Sequence, residues 1–103
     1  MIIYREYSKK SNENLIIEIR DYCKKIKKKF FISKDLKLAS KLNLDGVYLP
    51  SFYRTLNTKR NYHKNFTIIG SAHTVNEIKI KEKQGARLIF ISPIFRIKKN
   101  NKF

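Results

Sequence analysis

A chain of 103 residues with 42% apolar and 13% aromatic side chains closes one hydrophobic core, and it is too apolar for a disordered tail. Its one cysteine, Cys23, excludes an internal disulfide framework and any CxxC metal or redox motif, and no run reaches the roughly 20 apolar residues of a membrane span. The net charge of +16 could attract phosphates, but the lysines come with many Ile and Asn, three Gly and no Trp, the mixture that A- and T-rich codons produce; Arg, whose fork reads base edges, is the basic minority, so nucleic acid is not the expected partner.

Residues 1–5 predict a short strand. Met1-Ile2-Ile3-Tyr4-Arg5-Glu6 lacks the basic-then-apolar layout of a secretory leader, so the expected location is cytoplasmic. Residues 8–14 are polar and turn-like. Leu15, Ile16, Ile19, Tyr22, Cys23, Ile26 and Phe30 then recur at helical spacing, and Lys24, Lys25, Lys27, Lys28 and Lys29 crowd the end, where cations suit the helix dipole. Phe30 to Ser33 predicts a buried strand. Residues 35–42 predict a short helix with Leu36, Ala39 and Leu42 on one face. Gly46 to Leu49 predicts a second buried strand, stopped by Pro50. Residues 51–65 are polar and basic, a loop with a poorly formed helix, and Phe66 to Gly70 is the next strand.

Thr74 opens the clearest helix. Thr74-Val75-Asn76-Glu77 is a capping box, in which the hydroxyl accepts from the amide three residues on while the glutamate reaches back to the capping residue. Gly85 sits where a left-handed residue ends such a helix. Residues 87–91 predict the last strand, stopped at Ser92-Pro93. Residues 1–97 are read as one domain and 98–103 as a polar tail.

Strand starts near Ile2, Phe30, Gly46, Phe66 and Arg87 approach a 20-residue repeat. Apolar strands alternating with amphipathic helices predict an α/β fold with about five parallel strands and outer helices, part of a (β/α) TIM-type barrel. Closure takes eight such units, usually in about 250 residues. The structural rival is an open doubly wound sheet, for which no glycine-rich nucleotide loop gives support. Leu44-Asp45-Gly46 and Gln84-Gly85-Ala86 both read as a helix-ending glycine running into a strand.

Barrel chemistry gathers where strands end. There Arg5, Lys34, His73 and the backbone around Ser92 could converge as an anion site, although strand-end polar residues often only cap the next helix, as suits Asp35 and Thr74. His73 lies between a strand and a helix N-terminus and is the candidate proton carrier, since a neutral imidazole can shuttle a proton. His63 reads as a surface residue and Cys23 as core. No carboxylate pair is placed for a metal.

At these strand ends the chain resembles the thiamine-phosphate synthase/TenI family. Ser71-Ala72-His73-Thr74, with Glu77 and Gly85-Ala86 following, looks like the family's S-x-H-[ST/N]…E…A…GAD segment, and Ser92-Pro93-Ile94-Phe95 like its [GS]-P-[IV]-[FY] turn. Asp45-Gly46-Val47-Tyr48-Leu49 looks like A-D-G-[IV]-H-[LI], Phe31-Ile32-Ser33-Lys34-Asp35 like [IV]-N-[DN]-[RD], and Ile3-Tyr4-Arg5-Glu6 like Q-x-R-[ED]-K. The similarity runs in order over residues 2–97, so the units look like the second to sixth of the family's barrel.

The resemblance implies one of two chemistries. The synthase joins a pyrimidine pyrophosphate to thiazole phosphate and uses Mg²⁺ to neutralise the departing pyrophosphate; the TenI branch tautomerises a thiazole carboxylate phosphate without that metal apparatus. By the same resemblance Arg5, Lys34, Ser71 and Ser92 would bind substrate or phosphate, and His73 would carry the proton. The chain departs from the synthase pattern at the metal positions, where Lys34 and Tyr53 replace aspartates. It departs again at Ile3 and Tyr7, at Pro50 to Phe52, and at Ile97 to Asn100. The expectation is therefore a shortened member linked to thiamine biosynthesis, with little or no synthase activity alone and a small phosphorylated thiazole or pyrimidine as ligand. The alternatives are a tautomerase or small-phosphate binder using His73 and Arg5, or a basic interaction or nucleic-acid-binding module. Open sheet edges imply self-association or a covering partner.

Overall fold

Short runs of β-branched and aromatic residues build one parallel sheet, as their near-continuous apolar character requires. A computed structural model of the chain describes residues 1–5, 12–58 and 62–92. The expected tail 98–103, Pro93 to Phe95, Ile97 and Tyr7 lie outside those residues. In chain order the elements are β1 (Ile2–Tyr4), α1 (Glu13–Lys25), β2 (Phe30–Ser33), α2 (Leu36–Lys41), β3 (Gly46–Leu49), β4 (Thr67–Ala72), α3 (Val75–Lys83) and β5 (Leu88–Ile91). None of these helices is long and apolar enough to cross a membrane.

The strand order is β1-β2-β3-β4-β5, parallel throughout. Parallel crossovers are right-handed, so a sheet that never reverses its order carries every connection on one face. A doubly wound sheet would reverse at a switch point. The expected α/β fold of a partial TIM-type barrel is what forms, and the doubly wound rival is excluded.

Alternation along the strands divides the core in two. Phe30, Ile32, Val47, Leu49 and Ile68 face the helices and pack with Ile16, Cys23, Leu36, Ala39 and Leu42. Phe31, Tyr48 and Ile69 form a smaller cluster with Ile3 on the opposite face, the side that a closed barrel would enclose. Burying each large apolar side chain on the helix side contributes about 1.5–3 kcal/mol. Cys23 is core, as expected, and burial raises its thiol pKa, with Asp45 adding to the effect.

Several expectations are corrected in detail. Tyr22 is exposed and Phe30 belongs to β2, so the buried stripe of α1 is narrower than the spacing suggested: Ile16 and Cys23 are buried, with Ile17 and Ile19 packed beside them. Gly46 does not end a helix. It sits in β3, where a Cβ would lie 1.8 Å from the Thr67 carbonyl oxygen. The left-handed residue after α2 is instead Asn43 (φ 56°), and after α1 it is Lys27 (φ 59°); Gly85 (φ 93°) holds that place after α3, as expected. All three helices close alike, with amides of the next residues returning to carbonyls of the last turn: Lys28 to Cys23, Leu44 to Ala39, Ala86 to Lys81.

The connection from β3 to β4 contains no helix among its described residues. Its first part is instead an extended loop bound to α3. The Tyr53 carbonyl accepts from Lys81 Nζ and from Gln84 Nε2, both at 2.8 Å; Gln84 Nε2 also donates to the Thr55 carbonyl, and Thr58 Oγ1 donates to the Gln84 carbonyl. Lys81, Gln84 and Thr58 are all buried. Farther on, Tyr62 stacks on Phe66 with centroids 4.2 Å apart. His63 is exposed, as expected, while its ring bonds the Leu44 carbonyl.

Candidate functional site

Because all strands run the same way, their C-terminal ends meet on one rim. Between them lies a cleft of about 570 Å³ on the face away from the helices. Of the residues singled out in the sequence, Arg5, Ser71, His73 and Ser92 line it together. Their convergence follows from alternation. Ser71 pairs in register with Phe90 and shares the face of Ile69 and Tyr48, while Arg5 continues the face of Ile3.

Tyr48, not singled out in the sequence, is the hub of the floor. Its hydroxyl is 2.7 Å from Ser71 Oγ and accepts from Arg5 Nη2 at 3.3 Å. The guanidinium carbon also lies 5.0 Å from the tyrosine ring centroid, within cation–π range. One side chain thus aims the cleft's arginine and the strand-end serine. The guanidinium has five N–H donors and spends one here, so it can still accept a phosphate as a bidentate partner.

His73 follows the end of β4 and is fixed at both backbone and ring. Its amide donates to Glu77 Oε1 at 2.7 Å, while Thr74 Oγ1 accepts from the Glu77 amide at 3.1 Å. The capping box therefore forms with its return bond displaced by one residue, onto His73 instead of Thr74. Nδ1 of the imidazole bonds the Ser92 carbonyl. A carbonyl oxygen only accepts, so Nδ1 carries the hydrogen, and in the neutral ring Nε2 is the nitrogen with a free lone pair.

Lys34 is not on the cleft lining. It follows β2 in a left-handed conformation (φ 67°), its amide donates to the Tyr48 carbonyl, and its Nζ lies 5.5 Å from the Phe52 ring centroid. Phe52 is itself a wall of the cleft, as are Pro50 and Ser51. Ser33, in register with Tyr48, keeps a buried hydroxyl without a hydrogen-bond partner among the described residues.

A magnesium ion would need hard oxygen ligands, above all carboxylates. Among the described residues the cleft lining includes none, and no cluster of three His, Cys, Asp or Glu occurs. Asp35, the nearest carboxylate in sequence to the rim of β2, is used as a helix cap, accepting from the Leu38 amide. The donor set that the described residues present suits an anion and does not fit a divalent cation.

Periodicity alone could have marked two features that went unread. Tyr48 alternates with Val47 and so must face the cleft side, and Lys81 stands four residues after Glu77 and three after Ile78, on the inward stripe of α3. Tyr48 was expected only as part of a buried strand, and Lys81 only as part of the α3 helix, without a role for either side chain.

The family model for thiamine monophosphate synthase matches residues 1–102. An Aquifex aeolicus protein provisionally named thiamine-phosphate synthase 2 is 34% identical over 93% of this chain and 53% of its own length. The thiamine-phosphate synthase of Prochlorococcus marinus is 33% identical over 95% of this chain and 29% of its own. Among solved structures, thiamine phosphate pyrophosphorylase from Pyrococcus furiosus superposes with a TM-score of 0.65 at 22% identity, covering 90% of this chain and 47% of that one. The chain thus spans about half the length of the first of these relatives.

Proposed function

The chain belongs to the thiamine monophosphate synthase family, and on that premise we propose that its cleft binds a small phosphorylated heterocycle, thiazole phosphate, without synthase turnover of its own. The observation that carries this reading is the convergence of Arg5, Ser71, His73 and Ser92 in one cleft whose lining holds no carboxylate among the described residues. Arg5 takes the phosphate, oriented by Tyr48. The aromatic walls, Phe52 and Phe90, take the ring. Stabilising a departing pyrophosphate calls for a metal or several fixed cations, and among the described residues the cleft lining supplies one arginine.

The tautomerase reading is the second, and the ring orientation of His73 favours it. With Nδ1–H committed to the Ser92 carbonyl, Nε2 is the atom able to take a proton from a bound ligand and return it at another position. The reading extends to assembly: β5 exposes Leu88 and Ile91 besides the cleft wall Phe90, and self-association through that strand would cover these two.

Calorimetry with thiazole phosphate, alongside a coupled assay of thiamine phosphate formation, tests the proposal. Binding to the wild type, loss of binding in Arg5→Ala, and retained binding with lost proton exchange in His73→Ala are expected. Robust Mg²⁺-dependent turnover by the isolated chain would overturn it.

A further inference from the structure

The wall of the cleft that carries Ser51 and Phe52 is a single tight turn. The Tyr53 amide donates to the Pro50 carbonyl at 3.0 Å, closing that turn. The carbonyl on the far side of the same residue is the one gripped by Lys81 Nζ and Gln84 Nε2. No helix backs this segment among its described residues, so these donors do for the loop what a crossover helix does for the other connections.

Lys81 is an expensive residue for the purpose. Its side chain is fully buried, and a buried ammonium is costly unless it is paired or hydrogen-bonded. Gly70 leaves the space it occupies: a Cβ there would lie 2.7 Å from Lys81 Cδ. The charged groups facing it are Glu77, one turn earlier on α3, and Arg54, which pairs with Glu77 at 3.8 Å. Glu77, Lys81 and Gln84 thus form one polar stripe of α3 that holds Arg54, Tyr53 and Thr55 of the loop, and Glu77 holds the His73 amide as well. Gln84 faces its NH₂ to two carbonyls, so its orientation is set by acceptors that its oxygen could not replace.

We infer that Lys81 is a positioning residue for the cleft: its ammonium, with Gln84, fixes the Tyr53 carbonyl and thereby sets the Pro50–Tyr53 turn that presents Ser51 and Phe52 to the ligand. The inference rests on the cleft being the ligand site. Lys81 acts through the turn and does not itself line the cleft.

The test is Lys81→Met in the full chain, which keeps the stem and removes the ammonium. Amide hydrogen exchange at Tyr53, whose amide closes the turn, is expected to quicken by about tenfold while Val47 and Ile69 in the strands stay unchanged. Affinity for thiazole phosphate is expected to fall by about tenfold in the wild-type background and by less than about twofold in Phe52→Ala, because the lysine's effect runs through that wall. Unchanged exchange in the turn, or equal losses in both backgrounds, overturns the inference. Should Lys81→Met fail to fold, Gln84→Met removes the second donor and is read by the same two criteria. If the wild type binds no thiazole phosphate, the proposed function fails, and the exchange measurement, which needs no ligand, decides the role of Lys81 by itself.

Discussion

Tyr48 shows how much one hydroxyl can organise. Removing it in Tyr48→Phe leaves the ring and its stacking on Arg5 while breaking the bonds to Arg5 Nη2 and Ser71 Oγ. Stability should fall by about 1 kcal/mol in a urea melt, the usual net value of such bonds. Affinity for thiazole phosphate should fall as well, because the guanidinium loses its aim. At this scale the sequence was readable where a residue sits at a strand end, as for Arg5, Ser71, His73 and Ser92. What Tyr48 and Lys81 do was not readable: a buried strand was expected around Tyr48, but the partners that its hydroxyl and the Lys81 ammonium find lie far along the chain. Lys34 shows the converse: its strand-end place was legible, but the left-handed turn that takes it off the cleft lining was not.

Among the elements, starts and stops carry most of the information. Asn12, Asp35 and Thr74 cap the three helices with side-chain oxygens, and each helix ends on a left-handed residue. Gly and Asn adopt that conformation readily; lysine adopts it at a cost of roughly 1–2 kcal/mol. Lys27→Gly should therefore stabilise the chain by about 1 kcal/mol, seen as a rise of about 4–8 °C in thermal midpoint. Helix α3 adds a pH dependence. Desolvation pushes the Lys81 pKa below the ordinary lysine value, with Glu77 opposing. Between that lowered value and the ordinary one, about 10.4, the unfolded chain binds more protons than the native one, so this group makes stability rise with pH across the window and adds no slope below it. Urea melts between neutral and alkaline pH should show that slope in the wild type, reduced in Lys81→Met. The helices were legible from caps and spacing. The loop after β3 was legible as a loop, but its anchoring on α3 was not, because bonds to backbone carbonyls leave no trace in periodicity.

For the molecule as a whole, two features pull in opposite directions. The exposed apolar residues of β5 favour association, whereas a net charge of +16 drives copies apart. Salt screens the second and not the first, so the mass from light scattering should rise between low ionic strength and 150 mM, where the Debye length is about 8 Å. Ile91→Lys, at the most exposed of these positions, should lower it. A monomer at every ionic strength would count against association through β5. Strand order was legible only as an expectation drawn from alternation; the absence of a reversal, which decides between the two α/β architectures, depends on pairing between strands far apart in sequence.

The cleft's makers are distant along the chain: Arg5 meets Tyr48 across 43 positions, Tyr48 meets Ser71 across 23, and His73 meets Ser92 across 19. Parallel strands have no hairpin to bring them together, so each of these meetings waits on a long loop closing first. Binding competence must accordingly emerge late in folding, after the sheet has zipped from edge to edge, and a partly folded chain would carry helices but no pocket. Ligand that selects the finished state alone would then slow unfolding as well as raise the melting temperature, making thiazole phosphate a reporter of completed folding.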